Sequence, residues 1–311
     1  MLEQILERFP GISCAYVDAA GKVTTEYYGV SETEKNVAVD GDTIFPAYSM
    51  SKFVTAICLM KLHEKNVIDI DKPINIYLKQ WKLLTIDGKE SAATIRSLMC
   101  HTAGIVDGEE SFYGLHRGDS NINLLDILDG KTFYNNRPAR EETPYGTEFE
   151  YSDAGYCILQ MMVQDTTNHT FEEVVKQLVF DKLQLNNTSF WGCPDLAGAG
   201  LWSSPIEVLK IGKEFVAAFH GKSKFLQQKS AREIANPVDK FPWTGLGVFR
   251  DNKGILMTQG WGEHGQCMMK MNLHAEKVSV VMTNRNPEMD QSESGVEWLV
   301  NIKLQKEKEY V

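Results

Sequence analysis

No run of about 18 consecutive apolar residues occurs in this sequence, so a membrane-spanning helix is not expected. Cysteine is sparse. Its six residues (Cys14, Cys58, Cys100, Cys157, Cys193 and Cys267) stand singly, with no C-x-x-C pair. That spacing suits neither a zinc site nor a disulfide framework, and several of these thiols sit in apolar segments as small hydrophobes. The seven histidines likewise lack metal-ligand spacing, so neither a metal nor a cofactor is expected. Basic residues are outnumbered, 32 against 42 acidic ones, for a formal charge of -10. A nucleic-acid binder needs a concentrated Lys/Arg face, and this composition speaks against one. Repeats and low-complexity stretches are also missing. The segment from Met1 to Phe9 reads as an amphipathic acidic helix with no basic and apolar leader pattern. Together with the single cysteines, this predicts a reducing, cytoplasmic setting.

What is present fits an ordinary globular chain. Of its 311 residues, 43% are hydrophobic and 24% charged, enough for one or two domains with a sizeable core. Residues 12–17 and 22–30 read as two strands around an Asp18–Gly21 turn. From about residue 49 to 230 the pattern is mostly helical, with candidates at 50–65, 94–99, 122–128, 153–167, 171–180, 205–219 and 225–235. Strand patterns return at 245–250, 254–259, 266–273 and 278–283, and a helix near 291–306 follows. Strands at both ends predict an α+β fold: an antiparallel sheet built from N- and C-terminal segments, flanked by helices, with a mostly α-helical insertion. The expected division is residues 1–70 plus 200–311 for the sheet-containing domain and 71–199 for the helical one. A ligand cleft is expected between them.

The segment from Phe45 to Met60 carries the most chemistry. A helix begins near Ser49, and Phe53 to Met60 are apolar on nearly every side, which predicts a buried helix. Ser49 and Lys52 are three residues apart, so they share one face with Cβ atoms about 5–6 Å apart. Burial and the positive helix N-terminus both disfavour an ammonium, predicting a lysine with a depressed pKa. Moving it from about 10.4 to about 7 takes roughly 4.6 kcal/mol. An N-capping Ser49 and an exposed Lys52 fit the same four residues.

Further segments are informative beside Ser49-Met-Ser-Lys52. They are Thr94-Ile-Arg-Ser-Leu-Met-Cys-His-Thr-Ala-Gly-Ile105, Pro144-Tyr-Gly-Thr-Glu-Phe-Glu-Tyr-Ser-Asp-Ala-Gly-Tyr156, Gly200-Leu-Trp-Ser-Ser204 and Val280-Val-Met-Thr-Asn284. In this order they resemble the serine β-lactamase-related family, which takes in class C β-lactamases, penicillin-binding proteins, D-aminopeptidases and esterases of one fold. The resemblance implies a β-lactamase/transpeptidase-like fold and a serine hydrolase working through an acyl-enzyme. Its substrate would be a small ester, a D-amino-acid peptide or amide, or a β-lactam. It also implies Ser49 as nucleophile, with Lys52 and Tyr151 managing its proton. Asp153 stands where the family has Asn. An ionised Asp only accepts hydrogen bonds, which suits an amine-bearing substrate or a structural cap. The family's third element falls on His264-Gly265-Gln266, with Cys267 supplying an oxyanion N–H and Trp261 beside the cleft. His101, in the second segment, is expected to be structural, since a triad also needs an orienting carboxylate. The substitutions at Asp153 and Gln266 leave room for a non-catalytic member that binds a penicillin or peptide as a sensor or scaffold.

Overall fold

The computed structural model describes residues 2–18, 20–32, 36–109, 111–112, 122–190 and 196–305. His116, Trp191 and Cys193 lie outside the described residues. The helices are α1 (Leu2–Arg8), α2 (Ser51–Glu64), α3 (Ile95–Met99), α4 (Leu124–Leu128), α5 (Asp153–Thr167), α6 (Phe171–Val175), α7 (Asp181–Leu183), α8 (Pro205–Phe219), α9 (Gln228–Ala235), α10 (Gln291–Ser294) and α11 (Val296–Gln305). The strands are β1 (Gly11–Val17), β2 (Val23–Glu32), β3 (Val37–Ala38), β4 (Phe45–Pro46), β5 (Ser189–Phe190), β6 (Leu201–Ser203), β7 (Phe249–Arg250), β8 (Leu256–Gly262), β9 (Gly265–Asn272) and β10 (Lys277–Thr283).

Seven strands form one antiparallel sheet in the order β3-β2-β1-β10-β9-β8-β7. Its strands come from the two ends of the chain, as the sequence pattern predicts. Side chains alternate across the pleat, so each central strand serves two cores. Ile12, Cys14, Met268 and Val281 face α1 and α11, where they meet Ile5, Val296 and Leu299. Ala15, Cys267, Met269, Val280 and Met282 face the other way, into the larger core that holds α2, α5 and α8. A small sheet, β4-β6-β5, ties the entry to α2 to the segment just before α8.

α2 is buried almost all round, as its sequence predicts. From Ser51 through Met60 every residue is buried, Lys52 included. At about 1.5–3 kcal/mol for each large apolar side chain taken from water, this helix is among the firmest anchors in the molecule. Its N-terminus, and with it Ser49, is therefore held against both the sheet and the helical layer. Among the described residues no helix is long and apolar enough to cross a membrane.

Candidate active site

Ser49 is the middle residue of a single 3₁₀ turn, Tyr48–Met50, that leads directly into α2. Tyr48 adopts φ +44°, a conformation that costs a non-glycine residue energy and has to be held by its surroundings. Those surroundings are the end of β8 and its turn into β9. The Tyr48 hydroxyl accepts a hydrogen bond from the His264 N–H at 2.8 Å. A Cβ on Gly262 would lie 2.3 Å from the Tyr48 ring, and one on Gly260 would lie 2.5 Å from the Ala47 carbonyl oxygen and 2.7 Å from the Ser49 nitrogen. Two glycines in β8 thus let the strand lie directly on the backbone that presents the serine.

Lys52 and Tyr151 converge on the Ser49 hydroxyl. Lys52 Nζ donates to Ser49 Oγ at 3.0 Å and Tyr151 Oη donates to it at 2.7 Å. Lys52 Nζ also donates to the Gly198 carbonyl at 3.0 Å and forms a short ion pair with Asp153 Oδ1. All three ammonium donors are thereby used. The same nitrogen sits 4.7 Å from the centroid of the Tyr151 ring, a cation–π arrangement.

The charge state of Lys52 differs from the sequence expectation. Burial alone lowers its pKa, but the Asp153 carboxylate outweighs that, with a further upward contribution from Tyr151, and holds the ammonium above its ordinary range. The expectation of a depressed lysine overlooked a counter-ion 101 residues away in the chain. Burial also raises the Tyr151 phenol; the Lys52 charge opposes this, and Asp153 adds to it. At rest the site holds a protonated amine and a protonated phenol, both directed at one hydroxyl.

A third set of contacts fixes Tyr151-Ser152-Asp153 at the start of α5. Ser152 is the N-cap, accepting the Gly155 N–H at 3.0 Å. Asp107 accepts from Ser152 Oγ at 2.6 Å, the Asp153 N–H at 2.7 Å and the Ala154 N–H at 3.2 Å. Burial and the nearby Asp153 charge push the Asp107 carboxyl up to about 6. His101 backs the phenol: its ring stacks on Tyr151 at 4.3 Å with 27° between planes, and its Nδ1 accepts the Ser152 N–H at 3.1 Å. Burial, reinforced by the Lys52 charge, drives its pKa well below the usual histidine value. His101 is therefore neutral with the proton on Nε2, and it braces Tyr151.

The structure brings Ser49, Lys52, Tyr151 and Asp153 together. It does not bring His264, Gly265, Gln266 or Cys267 into the cavity. The His264 side chain is more than half exposed in the β8–β9 turn, near Glu263. Gly265 opens β9, packed against the Thr283 carbonyl. The Gln266 amide points away, donating to Asn286 Oδ1 and the Met289 carbonyl and accepting from Ser294. Cys267 is buried, with its thiol on the Ala47 carbonyl, and its strand is paired on both sides. The strand beside Ser49 is β8 instead, one strand nearer the sheet edge. Thr258 and Gln259 line the cavity with Ser49, Lys52, Tyr151 and Phe249.

The register also fixes the side of β8 to which the Trp261 N–H points. Gln266 spends its own N–H and C=O on the Thr283 hydroxyl, on the β10 side. Its partner across the β8–β9 ladder is Trp261. In an antiparallel pair whose one member turns both groups outward, the other does the same. The Trp261 N–H therefore faces the side of β8 away from β9. The pairing of β7 with β8 ends at Met257, so that edge is open beside Ser49. The Trp261 side chain is half exposed.

Sequence reasoning missed Asp107, Gly198 and the Thr258-Gln259-Gly260 stretch. Asp107 follows the His101 segment after one residue, Val106, the one signal it offers. Gly198 enters through a carbonyl, which carries no sequence mark. Thr258 and Gly260 are buried while Gln259 is not, an alternation that the residue types Leu256-Met-Thr-Gln-Gly260 do not show.

The Beta-lactamase family model matches residues 1–301. Protein flp of Staphylococcus aureus (strain MW2) is 22% identical over 181 residues, covering 58% of this chain and 35% of that protein. Unguisins hydrolase ungD of Aspergillus violaceofuscus (strain CBS 115571) is 24% identical over 187 residues, covering 59% of this chain and 32% of that protein. The chain spans about a third of the length of these curated relatives. The octameric penicillin-binding protein homologue from Pyrococcus abyssi superposes with TM-score 0.78 at 19% identity, covering 97% of this chain and 75% of that one. The D-amino acid amidase from Ochrobactrum anthropi SV3, complexed with L-phenylalanine amide, gives TM-score 0.77 at 18% identity, covering 98% and 95%. EstCE1, a hydrolase with promiscuous acyltransferase activity, gives 0.76 at 18% identity, covering 95% and 96%.

Proposed function

The chain belongs to the Beta-lactamase family, and from that premise we propose that it is a serine hydrolase working through an acyl-enzyme on a small ester, amide, short D-amino-acid peptide or β-lactam. The observation that carries this reading is the convergence of Lys52 and Tyr151 on one serine hydroxyl, 3.0 and 2.7 Å away, at the mouth of a buried helix. Ser49 Oγ attacks the carbonyl carbon. Its proton passes to Tyr151 or Lys52 once one of them has released its own, and from there to the leaving group. Water then repeats the sequence in reverse to free the acyl group.

The oxyanion forms between two backbone donors. The Ser49 N–H lies in the first turn of its helix, where no intrahelical acceptor is available. The Trp261 N–H faces it from the open edge of β8. Each such donor is worth about 2.7–4 kcal/mol in the transition state. This reading moves the third element from His264–Cys267 to Thr258–Trp261.

A second reading, a binder that acylates and stalls, draws on the Asp153 ion pair, because an ammonium cannot accept the serine proton. The structures described as a hydrolase with promiscuous acyltransferase activity, a D-amino acid amidase and a penicillin-binding protein homologue set the substrates to try. Turnover of a p-nitrophenyl ester, a D-alanyl dipeptide and nitrocefin separates the two readings. Steady release of product that falls at least about 10³-fold in Ser49→Ala supports the hydrolase. A single acylation burst with no further turnover supports the binder. Full turnover by Ser49→Ala contradicts both.

A further inference from the structure

We propose that Asp153 selects acyl groups that carry a protonated amine, seating the ammonium beside the carbonyl that Ser49 attacks. This deepens, and rests on, the serine-hydrolase reading above. The first support is position. Asp153 Oδ1 binds Lys52 Nζ, which binds Ser49 Oγ, so the carboxylate is two hydrogen bonds from the nucleophile and within about 6 Å of it. An amine on the carbon next to a carbonyl lies about 2.5 Å from the carbonyl carbon. Adding one N–H···O contact of about 2.8 Å spans the remaining gap.

The second support is availability. Lys52 is almost completely buried, but the Asp153 side chain, which is not itself among the residues lining the cavity beside Ser49, keeps 18% of its surface exposed. Lys52 uses Oδ1 alone, and Oδ2 receives no hydrogen bond from the described residues. A carboxylate can accept several donors at once, so a second cation does not have to displace the first.

The third support is charge balance. Two carboxylates, Asp153 and Asp107, stand against the single ammonium of Lys52 in this cluster, while His101 is neutral. The surplus is felt: Asp153 is one of the two causes that make Asp107 hold its proton more tightly than usual. A substrate ammonium neutralises this surplus, whereas a substrate carboxylate adds to it. The wall supplied by β8 offers only the uncharged Thr258 and Gln259, so an anionic acyl group finds no counter-charge there. The positive charge of the incoming cation, placed near Lys52, also disfavours the Lys52 ammonium and so loosens the hold on its proton. Binding the preferred substrate thereby favours the amine form that catalysis needs.

The test compares methyl 2-aminobutyrate, as separate D and L forms, with methyl butyrate, at a pH where the amine is protonated. The wild-type enzyme should favour at least one amino ester by about tenfold or more in kcat/KM, and Asp153→Asn should reduce that ratio about tenfold whatever its absolute rate. Inhibition of the wild-type enzyme by 1-aminopropylboronic acid and by propylboronic acid gives a second readout that needs no variant. The amino compound should bind about tenfold tighter. Equal rates and equal inhibition, or a preference that survives in Asp153→Asn, overturn the proposal while leaving the hydrolase intact. No turnover of any ester and no binding of either boronate overturn the hydrolase reading and this one with it.

Discussion

Lys52 lies under two opposing influences, burial that would strip its proton and a carboxylate that retains it, and the carboxylate prevails. The sign of the pH dependence follows. Proton transfer from Ser49 needs a Lys52 or Tyr151 that has lost its proton, and both hold theirs above their ordinary values. Activity should therefore climb with pH through the neutral range instead of levelling there. Asp153→Asn removes the charge that retains the ammonium, so the acid limb of kcat/KM against pH should move down by about one unit or more. A limb that stays in place contradicts the assigned role of Asp153. The lysine and serine were legible as a pair because they share a helix face. The aspartate's effect on them was not, because it comes from a different helix and depends on distance alone.

At the scale of the element, the site depends on how closely β8 and the start of α5 approach the serine turn. Gly260→Ala puts a methyl group 2.5 Å from the Ala47 carbonyl oxygen and 2.7 Å from the Ser49 nitrogen, both of them backbone. The strand must withdraw and take the Trp261 N–H with it. A loss of about 10²-fold in kcat with a stability cost of about 1–3 kcal/mol is expected, read by ester kinetics and chemical denaturation. Asp107 gives α5 a different signature. Its carboxyl is raised from 3.8 to about 6, so the folded chain holds that proton more tightly than the unfolded one. The stabilisation is complete below the unfolded value and is lost as pH rises through about 6. The Tm of the wild type minus that of Asp107→Asn should accordingly fall between about pH 4 and about pH 7; a rise contradicts the raised value. The long apolar runs of β9 and β10 could be read from the sequence, whereas β4, β5 and β6, two or three residues each, are too short to show a pattern. The sequence placement of the third element at His264–Cys267, which the proposed reading moves to β8, has a related reason. The glycine-rich run from Gly260 to Gly265 covers a strand end, a turn and the start of the next strand, and the sequence does not say which part lies on Ser49.

Across the whole molecule, the antiparallel sheet assembled from both chain ends was legible, because helices and strands occupy separate stretches of sequence. What tertiary packing adds is rigidity at the helix that bears the serine. Ile57, fully buried near the middle of α2, should test this: Ile57→Ala is expected to cost about 2–5 kcal/mol in denaturation while the remaining folded enzyme keeps most of its kcat. A large fall in kcat at unchanged stability contradicts the picture of α2 as an anchor distinct from its reactive first turn. The central claim is that Ser49 is the nucleophile, and the most direct test is to treat the full chain with a fluorophosphonate and map the labelled peptide. One adduct is expected, on Ser49, formed far more slowly in Lys52→Ala and Tyr151→Phe. A label on any other residue, or a rate indifferent to both substitutions, contradicts it.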